Sequence, residues 1–207
     1  MFARRYILAT AAMAPVFAAI PALAQAGAVT PDAAKAFITQ SGQQLISIVN
    51  SSSSTSQKAD ALRTLVNQIV AVDQVGDYVL GRYLNVATPA QHQQFQTLFH
   101  QLLSYNITYQ IKAYQGITFA VNGASQVGSD MVVDTTITTP GKPPADIGWA
   151  VDEVGGQPKI IDVIVAGTSL RITTRNDYAS VITDNGGQVS ALLTAMQNQI
   201  AKAAAAQ

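Results

Sequence analysis

Apolar positions along this chain change their period twice. Phe37, Ile38, Leu45, Ile48 and Val49 recur every three to four residues, behind Thr30-Pro31-Asp32, a cap residue with proline at the first helical position. The spacing predicts a helix to about Asn50, a short polar linker over Ser51 to Ser56, and a second helix carrying Leu62, Leu65, Val66, Ile69 and Val70 as far as Gln74. A short third helix is expected over Val75 to Tyr83. Thr88-Pro89 repeats the capping signal and opens the strongest stripe in the chain: Phe95, Leu98, Phe99, Leu102, Leu103, Ile107 and Ile111, stopped by Gly116.

Then the period becomes two. Ile117, Phe119 and Val121 alternate with smaller or polar residues, as do Met131, Val133 and Ile137, and then Ile147, Trp149 and Val151. Gly155-Gly156 is a hairpin turn into a last strand from Lys159 to Val165. Helical spacing returns over Arg175 to Asp184 and Gln188 to Lys202. Helices, a strand meander, then helices predict an α+β fold, a four-stranded antiparallel sheet covered on one face by several helices. One sheet face is expected to carry Ile117, Phe119, Val121, Met131, Val133, Ile137, Ile147, Trp149, Val151, Ile161, Val163 and Val165, faced by the stripe of Phe95, Phe99, Leu102 and Leu103. Periodicity does not distinguish a filled core from a lined pocket.

The first residues read as an export signal. Arg4-Arg5 is a positive start, Tyr6 to Ile20 is apolar, and Ala22-Leu23-Ala24 is a small-x-small cleavage pattern. Residues 1–24 are therefore expected to be a signal peptide and residues 25–207 a single domain, located in the periplasm. Residues 1–24 hold two of the twelve basic residues and none of the twelve acidic ones, so the remainder is close to −2. That balance gives no polybasic footprint for nucleic acid. The chain has no cysteine, which excludes disulfides and thiolate chemistry.

Candidate chemistry is sparse. His92 and His100, the only histidines, lie eight residues apart with no acidic residue between them, and read as solvated helix positions. No metal, cofactor or catalytic group is expected. Asp162 interrupts an apolar strand, where an unpaired carboxylate is costly, and a structural hydrogen bond or a partner in Arg171 or Arg175 is the preferred account. Arg82 has two readings: a group at a pocket mouth that meets phosphate or a partner's carboxylate, or a structural pair with Asp77 or Asp73. Tyr83 and Tyr178 are expected to fix helices through buried rings and bonded hydroxyls.

The run Lys159-Ile160-Ile161-Asp162-Val163-Ile164-Val165, then Gly167-Thr168-Ser169-Leu170 with Arg175 and Tyr178 behind it, resembles the signature of the MlaC/Ttg2D family of periplasmic lipid-binding proteins. So do Ala34, Ala36, Phe37 and Ile38 near the start, Val79-Leu80-Gly81-Arg82-Tyr83, and the helix with Phe95, Phe99, Leu102-Leu103 and Tyr105. The resemblance implies that helices and sheet enclose an apolar lipid pocket. It makes Phe95, Phe99, Leu102, Leu103, Tyr105, Tyr109, Phe119, Val121, Met131, Val133, Trp149, Val151, Val163, Val165 and Leu170 candidates for the lining, and Arg82, Arg171 and Arg175 candidates for a head group or partner.

It further implies a monomeric, non-enzymatic carrier that moves phospholipid between an inner-membrane ABC transporter complex and an outer-membrane lipoprotein complex. Pro158, where the family usually has Trp, and Trp149-Ala150, where it commonly has Tyr-Arg, are departures that point to a branch such as the hopanoid-associated members. Two other readings compete: a periplasmic adaptor with a dry, filled core, and a small α+β enzyme using Asp162 or Asp134 as a base in an apolar pocket.

Overall fold

The computed structural model describes residues 29–109 and 114–205, with side chains omitted over 107–109. The expected signal segment and Ile111 lie outside the described residues. The order is α1 (Pro31–Asn50), α2 (Thr55–Ile69), α3 (Val72–Leu80), a 3₁₀ turn (Gly81–Asn85), α4 (Pro89–Tyr109), β1 (Thr118–Val127), β2 (Asp130–Thr138), β3 (Ala145–Val154), β4 (Gln157–Val165), β5 (Thr168–Ser169), α5 (Leu170–Asp184) and α6 (Val189–Ala205).

The helix starts follow the capping chemistry. Thr30 accepts from the Ala33 amide ahead of Pro31, and Ser54 forms a reciprocal capping box with Gln57, so α2 begins inside the expected linker. Lys58, itself buried, donates to the Val49 carbonyl at 2.7 Å and satisfies the end of α1. The second helix stops at Ile69 rather than Gln74, because Val70 turns extended and bridges to Ile160 of β4. The third therefore starts earlier, at Val72, and ends at Gly81. Gly81 has φ 56°, and a Cβ there would meet Arg175 Nε at 2.8 Å. Gly81→Ala is expected to lose about 1–3 kcal/mol of stability in urea unfolding, from backbone strain and the displaced guanidinium.

The sheet is an antiparallel meander in chain order, β1 to β5. The fifth strand is two residues long and adds to the four expected from alternation. On one face, the inner face, successive ranks are Phe119, Ile137 and Ala145; Val121, Thr135, Ile147 and Val165; Ala124, Val133, Trp149 and Val163; then Met131, Val151 and Ile160. Ile161 is a correction. Ala150 pairs with Asp162 while Val151 pairs with Ile160, so Ile161 is the extra residue of a β-bulge and packs on the other face with Ala71, Val132 and Ala150.

The expected partner of the inner face is also corrected. Ala34 and Ile38 of α1 cover Met131, Val133, Val151 and Ile160. The stripe of α4 turns elsewhere: Phe95, Phe99 and Leu102, with Leu103 at the margin, pack with Val79, Leu80, Ile182, Leu192 and Met196. Phe95 stacks on Phe99 at 5.7 Å and meets Tyr178 edge-on at 6.2 Å. Burial, with the charge of Asp177 adding to it, pushes the Tyr178 hydroxyl up to about 12. The two larger apolar clusters are a helical one under α4 and α6 and one between α1 and the sheet. Both histidines belong to the first cluster's surface.

Candidate functional site

A cleft of about 680 Å³ opens between α1 and β1, within the range of about 300–1,000 Å³ common for small-molecule sites. The 20-residue α1 runs antiparallel to β1, with Ala34 beside the far end of the strand and Asn50 accepting from the Gly116 amide at its start. Thr39, Gln43, Ile46 and Asn50 recur at helical spacing along the exposed side of that helix. Gly116, Ile117, Thr118, Phe119 and Val121 supply the opposite wall. No lining side chain is charged.

Beyond Phe119 and Val121, part of the inner sheet face is only partly covered. Ile137, Ile147, Trp149 and Val163 are half-buried, and Val165 is 38% exposed. Met131, Val133 and Val151 on the same face are sealed under α1. Trp149 is held in place by its indole N–H, which donates to Thr135 Oγ1 at 2.9 Å. The half-covered positions leave apolar surface on the same sheet face as Phe119 and Val121.

The expected lining residues divide accordingly. Phe119 and Val121 line the cleft; Trp149, Val163 and Val165 lie on the half-covered part of the inner face; Met131, Val133 and Val151 are sealed under α1. Phe95, Phe99, Leu102 and Leu103 sit in the helical cluster. Tyr105 is half-buried on α4, the Tyr109 side chain lies outside the described residues, and Leu170 opens α5 at 45% exposure. The sequence reading missed Thr39, Gln43, Ile46, Asn50 and Ile117. A signal existed for the first four: they form a second stripe on the opening helix, mixed in polarity and offset from Ala34, Ile38 and Val49.

None of the three singled-out arginines lines the cleft. Arg82 does not pair with Asp73 or Asp77. Its Nη2 donates to the Tyr83 hydroxyl at 2.8 Å and to Thr183 Oγ1 at 3.2 Å, and the two hydroxyls lie 2.8 Å apart. This ties the 3₁₀ turn to the end of α5. Asp73 and Asp77 are occupied by the histidines, which corrects the reading of those as merely solvated. His92 Nε2 is 2.6 Å from Asp77 Oδ1 and His100 Nε2 is 2.7 Å from Asp73 Oδ1, with Gln96 donating to Asp77 between them.

Arg171 and Arg175 both pack on the Tyr78 ring, with Cζ at 4.3 and 5.0 Å from its centroid. Arg171 also pairs with Asp130 at 2.8 Å and lies 3.8 Å from Asp162. The Asp162 carboxylate accepts from the amides of Val163 and Arg171 and from the Ser169 hydroxyl. It faces α5, on the side of the sheet away from the cleft. Asp134 is exposed and lies outside the cleft as well. Neither carboxylate is available as a base there. Among the described residues no group of three or more His, Cys, Asp or Glu is placed to hold a metal, and no helix is long and apolar enough to cross a membrane.

Against this geometry, comparison with known proteins is informative. The profile of the family described as MlaC protein matches residues 39–198. The toluene tolerance protein ttg2D of Pseudomonas putida is 26% identical over 147 residues, covering 70% of this chain and 68% of that protein. Among solved structures, the phospholipid-binding protein from Ralstonia solanacearum, determined in complex with a phospholipid, superposes with a TM-score of 0.72 at 24% identity. That likeness covers 83% of this chain and 98% of the other, and establishes the fold.

Proposed function

We propose, on the ground that this chain belongs to the MlaC protein family, that it is a periplasmic carrier of phospholipid and not an enzyme. The observation that carries this reading is the uncharged cleft between α1 and β1, beside a sheet face that is apolar and half-covered. The Ralstonia protein of the same fold, solved with a phospholipid, supports the ligand class. The mechanism is physical. A two-chain phospholipid buries on the order of 30 methylenes, each worth about 0.8 kcal/mol against water, so unaided escape into an aqueous compartment is very slow. A protein that covers the tails while leaving the head group at an open cleft lowers that barrier without consuming energy itself.

In this reading the carrier exchanges its cargo with an inner-membrane ABC transporter complex and an outer-membrane lipoprotein complex, and acts as a monomer. On the same reading the uncharged lining leaves recognition to the tails, and Thr39, Gln43 and Asn50 are the polar side chains of α1 that would meet the ester and glycerol oxygens. Native mass spectrometry of the protein purified from its own periplasm is expected to show one lipid per chain, and extraction of the same sample names it. A phospholipid supports the reading, and a hopanoid moves the cargo to a polycyclic lipid. A protein that arrives empty and takes up nothing from vesicles overturns it in favour of an adaptor role.

A further inference from the structure

The arginines among the described residues have their charges met unequally. Arg63 pairs with Asp60 at 2.7 Å, and Arg171 with Asp130 at 2.8 Å and Asp162 at 3.8 Å. Arg82 and Arg175 have no carboxylate partner among the described residues. Both border Gly81. Arg82 follows it in the chain, and the Arg175 side chain lies across it, in the space that a Cβ would take. Arg82 spends its Nη2 on the hydroxyls of Tyr83 and Thr183. Arg175 makes no hydrogen bond among the described residues, and its polar contact is the face of the Tyr78 ring, 5.0 Å from Cζ to centroid.

Stacking on an aromatic face fixes a guanidinium and leaves its edge of N–H donors open. None of the Arg175 nitrogens is sealed from solvent, and the Tyr78 hydroxyl is likewise without a protein partner. Arg171, on the same ring, is neutralised by its two aspartates, so the uncompensated charge here is that of Arg175. The nearby acids do not answer it. Asp73 and Asp77 of α3 are taken by the histidines. Asp177 and Asp184 stand two and nine positions beyond Arg175, on the opposite side of α5. The missing anion therefore comes from outside the chain. A lipid in the cleft does not supply it, because the lining comes from α1 and residues 116–121, with nothing from α3, the 3₁₀ turn or α5. A bilayer surface is a poor match too. Such surfaces are read by clusters of roughly four to eight basic residues, and residues 25–207 are close to −2. A carboxylate fits, since a fixed planar fork takes one in two parallel bonds.

We propose that Arg175, stacked on Tyr78 across Gly81 and with Arg82 beside it, is a docking site for an acidic segment of a partner protein, on a face apart from the cleft. This goes beyond the carrier reading and does not depend on what the cleft holds. The ring and the bare glycine hold the guanidinium in place before the partner arrives, so little side-chain freedom is lost on binding.

The test follows the arginine Nε–H signals of the isotopically labelled protein by NMR, assigned with single substitutions such as Arg175→Lys. The probe is a capped hexaglutamate peptide at low ionic strength, with phosphatidylglycerol vesicles run alongside. The peptide is expected to shift the signals of Arg175 and Arg82 and to leave that of Arg63, already paired, in place. Arg175→Gln is expected to weaken the peptide about tenfold, the scale of hydrogen bonds to a charged group, with lipid bound per folded molecule unchanged. The wild-type shifts need no substitution, so they decide the matter even where a variant folds poorly. An unmoved Arg175 signal overturns the site, and so do equal shifts at Arg63, Arg82 and Arg175, which mark unselective attraction. A stronger response to the vesicles than to the peptide overturns it in favour of a membrane surface. The expected shifts in a protein that carries no lipid uphold the docking site and remove the carrier reading.

Discussion

Asp162→Ala is expected to destabilise the fold by about 3–5 kcal/mol, the usual cost of removing one partner from a buried ion pair. The side chain is 4% exposed and serves three donors, the amides of Val163 and Arg171 and the Ser169 hydroxyl, with the Arg171 guanidinium an ion-pair partner at 3.8 Å. Alanine strands these groups in a site that water does not reach, and leaves Arg171 only Asp130 as a charged partner. The carboxylate is a latch between β4 and the first turn of α5, and Ser169 is the cap of that helix through its bond to the Ile172 amide. Asp162→Asn keeps an acceptor for the amides and loses the charge, so its expected cost is smaller, on the order of 1–3 kcal/mol. Urea unfolding measures both. An alanine variant within about 1 kcal/mol of wild type rules the latch out.

That latch explains why the Asp162 to Ser169 segment is so recognisable in the sequence. Its residues answer to each other locally, within one turn, and a local arrangement of donors and acceptors leaves a local trace. The caps at Thr30 and Thr88, and the period-two strands, were legible for the same reason. Partner choice was not. The stripe of α4 has the correct helical period whether it packs on a sheet or on α6, and only the three-dimensional arrangement selects the latter. The bulge at Ile161 left no trace, because Ile160 and Ile161 are chemically alike and an inserted residue changes no composition. The His92–Asp77 and His100–Asp73 pairs join different helices 15 and 27 residues apart, beyond any pattern in a single window. The cleft itself was half legible. Phe119 and Val121 stood out as apolar strand positions, whereas Thr39, Gln43 and Asn50 look like any solvated helix face until β1 is laid beside them.

The separation of the helical cluster from the α1–sheet side yields an opposed pair of expected outcomes. Phe95 is fully buried, stacked on Phe99 and edge-on to Tyr178, among residues of α3, α4, α5 and α6. Phe95→Ala is expected to lose about 3–5 kcal/mol, the combined cost of lost transfer energy and a residual cavity. Lipid bound per folded molecule should be unchanged, because this cluster shares no residue with the cleft. Val121→Asp should behave in reverse. Val121 is partly buried on the cleft wall at the margin of the core under α1, so a carboxylate there keeps some access to water in the empty protein and costs about 1–2 kcal/mol. In the loaded protein it faces a hydrocarbon chain, and lipid occupancy is expected to fall about tenfold or more. Urea unfolding and quantitative lipid extraction on the same two variants separate the cases. Loss of lipid from a folded Phe95→Ala protein would mean that the helical cluster, and not the space beside α1, receives the chains.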